Sequence, residues 1–576
     1  MTATRKIRSG SSQIPEVQII INGNSIPNSI AVLDVQVSQE VNRISEAVFT
    51  VVDGDVASGN FALSSETTFK PGNIVIIKFG YNQDYKEVFS GVLVKQKIAM
   101  KNGLSTLEIT CKHKAFRMLA GERSQIFTDQ RDSDVYLDII STYGLSIATQ
   151  QTDVVHKSLV QYKCSDWDFV ITCAERNGLL VVTNKDELRI FSPTISSTAS
   201  AELTYGATLM SFETEIDARQ QEPNLKILAW DYSQNQPIEG EINLGDVGSE
   251  IEKTSATLAR DADIKRQMTH ISSVHTNPEL QELLKAEQGK RRLSKVRGTA
   301  TCQGIHNAIA GDTIQLNNIG SVFSGKYYVS GVTHTYADGN WLTTFQVGVD
   351  SEYHLQKFPT LPKSSYMIPN TQGLEIGQVT SLDDPEGQNR IQVYLPTFES
   401  RPVFWARMAR PYAGNEYGVF FNPEIGDEVV IGFLNNDPRA PMILGALHSS
   451  TKPLSNVQND DNFIKGIKTK TGMAISFNED AKRINIIAKE NLFITISEED
   501  EHLVLNYKNN TIEMNESGIS LTSSGGITLS AGGDVKITGV NIDIEAQANV
   551  KVDGGAGAVL SSSAVTEVKG SLVQIN

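Results

Sequence analysis

The sequence is short of the features that define whole classes of protein. It has four cysteines in 576 residues, Cys111, Cys164, Cys173 and Cys302. None are in Cys-x-x-Cys spacing and each sits in an apolar pattern, which excludes a disulfide frame and predicts buried thiols in a chain folded under reducing conditions. No apolar run approaches the roughly 20 residues of a transmembrane helix. Lys6 and Arg8 lie near the N-terminus, but the run Val17–Ile21 is too short for a signal peptide, so an exported chain would need another route. Positive charge is in deficit: 51 Lys and Arg against 67 Asp and Glu, a net −16. No chain-wide basic field exists to hold nucleic acid or an anionic membrane. At 40% hydrophobic and 7% aromatic residues, the composition is that of a folded chain with real cores, and its length suits about four domains.

Catalytic constellations are also missing. Nine histidines are scattered, without an HExxH or Cys/His zinc spacing. His270 and His275 are five apart near an expected helix end, where ligand pairs prefer four. The acidic run Glu498–Glu501 lacks the patterned glycines of a calcium loop and reads as a solvated turn rather than a glycosidase pair. Gly532-Gly533-Asp534 has the look of a calcium-binding β-roll, but its nine-residue consensus is not repeated. No Walker A, G-x-S-x-G or strand-following G-x-G-x-x-G occurs. The expectation is a protein that is not an enzyme, with no cofactor and no metal.

The chain does contain a repeat. From Ile519 onward, apolar residues come in pairs two apart: Ile519/Leu521, Ile527/Leu529, Val535/Ile537, Ile542/Ile544, Val550/Val552, Ala558/Leu560 and, more weakly, Thr566/Val568. Spacing of two puts both members on one face of a strand. The pair recurs about every eight residues, with Gly525, Gly526, Gly532, Gly533, Gly539, Gly554 and Gly555 between. A unit this thin cannot bury its face alone. Three chains sharing one core, a triangular prism, is the simplest closure. The same pairing begins upstream with a step of nine or ten residues, at Ile475/Phe477, Ile484/Ile486, Ile494/Ile496, Leu503/Leu505 and Ile512/Met514. A tapering needle is expected over 463–576.

Before it, short alternating strands separated by turn residues predict a β-barrel over 1–112. A second barrel is expected within 206–358, because Pro71-Gly72-Asn73, Val88-Phe89-Ser90-Gly91 and Asn102-Gly103 have counterparts in Ala310-Gly311-Asp312, Val322-Phe323-Ser324-Gly325 and Asp338-Gly339. An α+β insertion is expected over 113–205, with helices at Asp134–Tyr143 and Asp166–Asn177, the latter capped by Ser165. Two more helices are expected at Ser249–His270 and Pro278–Gln288. The cluster Lys290-Arg291-Arg292 reads as a solvated helix end favoured by the dipole. Prolines 359, 362 and 369 mark a linker, 359–372. Five strands over 373–450 suit an OB-fold, a small closed barrel. Its Trp405, Tyr412 and Tyr417 beside Arg407 and Arg410 would suit a stacking surface for single strands, a reading that the acidic charge and the attached shaft argue against.

In the OB segment, Asp384-Pro385 through Arg390, Trp405 with Arg407, the run Pro423–Phe433 containing Gly426, Asp427, Glu428 and Gly432, and the ending Asp437-Pro438…Pro441…Gly445 closely resemble the VgrG family of spikes of contractile injection systems. That family includes type VI secretion and extracellular phage-tail-like particles. Pro71–Tyr81, Val88–Gly91 and Ser165–Phe169 resemble its hub region. The resemblance covers nearly the whole chain. It implies a mainly β fold: duplicated hub barrels with an α+β insertion, an OB-fold barrel and a C-terminal trimeric triangular β-helix. It also implies a homotrimer that caps an inner tube protein on a baseplate and carries a PAAR-type tip protein and effector cargo. Such a spike touches a target membrane only on puncture. It would be made in the bacterial cytoplasm and leave as part of a particle. The trimer core would be Ile519, Leu521, Ile527, Leu529, Val535, Ile537, Ile542, Ile544, Val550, Val552, Leu560 and Val568, with the tip docked on Val573, Ile575 and Asn576. About twenty residues separate Gly445 from Ile467 and the chain ends in the strand pattern, so no room is expected for an appended enzyme.

Overall fold

The computed structural model describes residues 14–55, 59–101, 103–231, 236–243, 251, 253–264, 268–271, 276–357, 369–371, 373–396, 398, 402–454 and 459–575. The expected linker prolines 359 and 362, His275 and Asn576 lie outside the described residues, as do the side chains of His270 and its neighbours. The chain divides into two units, Met1–Ser450 and Thr451–Asn576.

The first unit is built on a thirteen-stranded sheet that contains the expected duplication. Five strands, Val32–Glu40, Glu46–Val52, Ile74–Tyr81, Asp84–Lys101 and Leu104–Lys112, recur in the same chain order as Leu209–Ile216, Val296–Gln303, Thr313–Asn317, Gly325–Ala337 and Asn340–Val347. The pairing repeats too. Lys101 faces Leu104 as Ala337 faces Asn340, and the bulge between Leu93 and Lys95 has its twin between Val329 and Gly331. A second bulge recurs between Val32 and Asp34 and between Leu209 and Ser211. The copies differ at their first strand: Pro15–Ile21 runs antiparallel to its neighbour, Ala201–Thr204 parallel. Two apolar cores result, one around Phe49, Phe69 and Phe79 of the first copy with Trp341 contributed by the second, the other around Ile314, Tyr327 and Phe345.

Matched registers correct one expected landmark. Gly72 and Gly311 are equivalent and both have positive φ, +101° and +96°, a conformation glycine adopts without steric cost. The Val-Phe-Ser-Gly stretches are not equivalent. Phe89 faces Ile77 inside a strand, whereas its structural counterpart is Gly325, facing Leu316. The four-residue match in sequence is two residues out of register in the fold.

The two copies join through one seam, Gly331 to Ala337 antiparallel to Glu40 to Asp34. The insertion packs helices Asp132–Ser141 and Asp166–Arg176 on a core of Tyr136, Trp167 and Phe169. Ser165 Oγ accepts from Asp168 N at 3.1 Å, the expected cap. The expected helix over 249–270 is instead a short helix, Ser255–Asp261, followed by a strand, Met268–Ile271, parallel to Asn224–Asp231. Long-range pairing overrode a weak local helical pattern.

A closed five-stranded barrel follows, from Glu375–Ser381, Ile391–Tyr394, Val403–Met408, Glu428–Phe433 and Pro441–Leu447. Its core, Val379, Val393, Phe404, Val429, Ile431 and Ile443, is completed by Val160 and Tyr162 from the insertion.

The second unit opens with a seven-stranded antiparallel meander from Ile464–Lys468 to Gly518–Thr522, in which every strand pairs with its predecessor. Beyond Thr522 no strand pairing occurs within the chain among residues 523–575. Strands had been expected there. A strand needs a hydrogen-bonding neighbour, and the glycine-rich eight-residue step gives this segment none inside its own chain.

Candidate functional site

Two features stand out, a cluster of shaped loops on the barrel and an apolar face on the meander. On the barrel, Asp384 closes a tight loop. Its carboxylate accepts from the backbone N–H groups of Glu386, Gln388 and Arg390 and from the Arg390 guanidinium at 2.8 and 3.0 Å. The Arg390 hydrogen bonds, with the backbone donors behind them, outweigh desolvation and hold the Asp384 carboxyl well below the usual carboxylate range. Pro385 sits within the turn that Gly387 N closes on Asp384 O, with Gly387 at φ +65°. Arg390 then lies over the half-buried Trp405 ring, 5.7 Å from its centre. Asp384→Ala is therefore expected to free this loop, seen as faster proteolysis within 382–390 while the near-UV signal of the barrel persists.

The other barrel motif residues shape backbone. Gly426 has φ +86° and donates to Val379 O; Asp427 accepts from Glu424 N at 2.9 Å and precedes the strand that Glu428 begins. A Cβ on Gly432 would press on Leu444 at 3.2 Å, and Gly445 faces Val430 beside a bulge. Buried Asp437, followed by Pro438, accepts from Arg439 N and its guanidinium. Arg407 is exposed, as are Tyr412 and Tyr417, whose rings lie 5.2 Å apart.

Arg439 leads to an arrangement that no local pattern in the chain announces. Its guanidinium donates to Glu279 at 2.9 Å. The same Glu279 oxygen lies 3.0 Å from His156 Nδ1, and His156 Nε2 lies 2.9 Å from Asp132. Asp132 in turn is bound by Arg176 and by Asn177 at 2.8 Å. All five charged or titratable side chains are buried or nearly so. Burial alone would raise the Asp132 carboxyl, but Arg176, His156 and Asn177 outweigh it and hold it at about 2. Near this chain the expected solvated cluster is overturned. Lys290 pairs with Glu175 at 3.1 Å beneath the Tyr353 ring, Arg291 pairs with Glu222 and Glu287, and buried Arg292 donates to Gln221. Burial lowers the Lys290 pKa against the pull of Glu175. Tertiary packing brought acids to a helix end that the sequence places beside water.

On the meander, cross-strand register turns the sequence pairs into two continuous rows. One runs Ile467, Ile475, Ile486, Ile494, Leu505, Ile512, Leu521; the other Phe477, Ile484, Ile496, Leu503, Met514, Ile519. Residues between them take the opposite face, which is polar at Asn485, Thr495, Glu513 and Ser520 but also carries Val504, Ile487 and Phe493; there Thr495 donates to Asn485 at 2.9 Å. The rows are far from buried: Ile475, Ile486 and Ile496 each keep 43% of their surface. The first row, from Ile486 to Leu521, lines an apolar groove of about 630 Å³ that reaches Ile527. Full burial of each such side chain is worth about 1.5–3 kcal/mol. Single surface hydrophobics are ordinary, but a continuous face of this kind marks an interaction site.

Further on, Ile527, Leu529, Val535, Ile537, Ile542, Ile544, Val550, Val552, Leu560 and Val568 are all exposed in the single chain, as are Val573 and Ile575. The acidic turn is not merely solvated: Glu498 pairs with Lys482 at 2.6 Å and Asp500 with Arg483. Among the described residues no group of three or more His, Cys, Asp or Glu is placed to hold a metal ion, and no helix is long and apolar enough to cross a membrane.

Residues 11–338, more than half of the chain, match the family model of the Alg8 N-terminal domain, and residues 375–448 match the Type VI secretion system/phage-baseplate injector OB domain. The chain is a VgrG-like spike protein with an Alg8-type N-terminal domain. This spike is 26% identical over 113 residues to the type VI secretion system spike protein VgrG3 of Vibrio cholerae, a match covering 18% of the chain and 11% of that protein. It is 29% identical over 119 residues to VgrG1b of Pseudomonas aeruginosa, covering 19% and 16%. The matches thus span about a tenth to a sixth of these curated relatives. Another of them, also from Vibrio cholerae, is the actin cross-linking toxin VgrG1, matched over 10% of its length. In fold, the spike resembles a chain of the lidded Francisella PdpA–VgrG complex, with a TM-score of 0.53, 10% identity, and coverage of 88% of this chain and 80% of that one.

Proposed function

We propose that three copies of this chain form the central spike and hub of a contractile, phage-tail-like injection apparatus. The hub barrels cap an inner tube and meet baseplate proteins; the shaft is driven through a target envelope with a PAAR-type tip protein on Val573, Ile575 and Asn576 and effectors as cargo. The observation that carries this reading is the pair of apolar rows, which run unbroken across the meander and stay exposed or half-buried in one chain. A three-fold axis along that face would bury the rows against their own copies and leave the polar face outward. Stiffness, not chemistry, is what such a shaft supplies, and it requires no active site.

Size-exclusion chromatography with light scattering on the full chain tests this directly. A mass of three chains is expected. A folded monomer at micromolar concentration would sink the proposal.

A further inference from the structure

In the first unit an amine and an amide far apart in sequence converge on one carboxylate oxygen. We infer that the two, Lys290 and Asn42, become joined by an isopeptide bond, with Glu175 carrying the protons. This staple lies within one chain and stands whether or not the three-copy reading above holds.

Asn42 follows the strand Val32–Glu40, Glu175 lies in the helix Asp166–Arg176, and Lys290 in the last turn of the helix Asn277–Leu293. Glu175 Oε1 accepts from Asn42 Nδ2 at 3.0 Å and from Lys290 Nζ at 3.1 Å, while Oε2 accepts from His354 N at 2.8 Å and fixes the carboxylate. Amine and amide nitrogens therefore sit within about 6 Å of each other, and the flexible lysine stem spans the rest. The amide is oriented by its other end: Asn42 Oδ1 accepts from Val181 N at 2.9 Å, and Asn42 N donates to Val181 O at 2.7 Å. Asn42 holds a left-handed backbone, φ +58°, which asparagine tolerates. The site is dry. The Lys290 and Glu175 side chains are 10% and 9% exposed, and Lys290 Nζ lies 3.7 Å from the centre of the buried Tyr353 ring. Burial, helped by Lys357, lowers the Lys290 pKa against the pull of Glu175 and Glu287, favouring the neutral amine, which is the nucleophilic form.

Each group has a role that amide exchange needs. Glu175 takes a proton from the Lys290 ammonium, and the freed electron pair attacks Asn42 Cγ. A Cγ–Nζ bond forms and the carbonyl electron pair moves onto Oδ1, where the Val181 N–H stabilises the charge. Glu175 hands its proton to Nδ2 and takes the second one from Nζ. The Cγ–Nδ2 bond breaks and ammonia leaves, becoming ammonium with the proton left on Glu175. Nothing is oxidised or reduced, so the bond can form in a chain whose four cysteines are free and buried. The product ties the turn after Val32–Glu40, in the first copy of the sheet, to the helix that leads into Val296–Gln303 in the second. Load on one copy would then pass to the other through a covalent bond.

Mass spectrometry of the denatured full-length chain is the test. The expected mass is lower by one ammonia than the sequence requires, and a tryptic digest should contain a branched peptide joining the Asn42 and Lys290 segments. Lys290→Arg and Asn42→Ala should each restore the full mass and release linear peptides. Glu175→Gln should leave the bond unformed in freshly purified chain, since a positioned acid–base group contributes about 100-fold or more to such a step. Wild-type chain of full mass, with Asn42 and Lys290 intact in separate peptides, overturns the inference whatever the variants do. So does loss of ammonia without the branched peptide, the mark of a succinimide at an asparagine.

Discussion

Replacing Ile494 by Asp is expected to abolish the trimer while leaving the single chain folded. In one chain this side chain lies on an open apolar face beside Ile486 and Leu505, so a carboxylate there meets water. Around a three-fold axis the same substitution would bury three carboxylates in one layer with no cation opposite. Each unpaired buried charge costs several kcal/mol even after relaxation. Three of them cost on the order of 10 kcal/mol, more than the roughly 8 kcal/mol of one micromolar association step. Ile527→Asp and Val535→Asp act by the same route further along. Ser520→Asp, on the polar face, should assemble normally. Light scattering of the four variants decides the matter: a normal trimer from Ile494→Asp, or loss of trimer from Ser520→Asp, would contradict the proposed orientation of the sheet.

The second large effect is expected in the first unit, where the path Arg439–Glu279–His156–Asp132–Arg176 ties the OB barrel to the insertion and to the helix Asn277–Leu293. Asp132→Ala takes the carboxylate away from the Arg176 guanidinium in a buried site. Removing one partner of a buried pair costs about 3–5 kcal/mol, read as a lower urea midpoint at an unchanged slope. Arg219→Ala, at an exposed pair, should leave the midpoint essentially where it is. The acid dependence has a definite sign. Asp132 titrates at about 2 in the folded chain, below its ordinary 3.8. Its contribution, about 2 kcal/mol, is complete above the ordinary value and is lost as the pH falls through the folded one. Wild type should therefore lose stability relative to Asp132→Ala between about pH 4 and pH 2, and a constant difference across that window would refute the assignment.

Much of this architecture can be read from local pattern, because its signals are short-range. Ser165 caps the helix Asp166–Arg176, Gly72 and Gly311 turn the chain at equivalent places, and the strand Glu187–Phe191 has the residues its alternation indicates. The apolar pairs of the meander are legible because each strand's neighbour is the next in sequence. What pattern does not carry is distance. The seam between the two copies of the sheet joins residues such as Ser38 and Thr333, 295 positions apart, and Glu279 and Arg439 meet across 160. Lys290-Arg291-Arg292 carries the signature of a wet helix end until Glu175, Glu222 and Glu287 are folded against it. The barrel motif Asp384, Arg390 and Trp405 is visible as a string, but only the fold shows it to be a braced loop rather than a binding constellation.

The unlike halves of the second unit impose a direction on its maturation. The meander closes on contacts between adjacent segments, the kind that form rapidly after synthesis, while residues past Thr522 have no strand partner within the described chain and, in the proposed trimer, would gain one only from its copies. Strand registration would be set at the early hairpins and zip toward the C-terminus, and heating would fray the same thread in reverse.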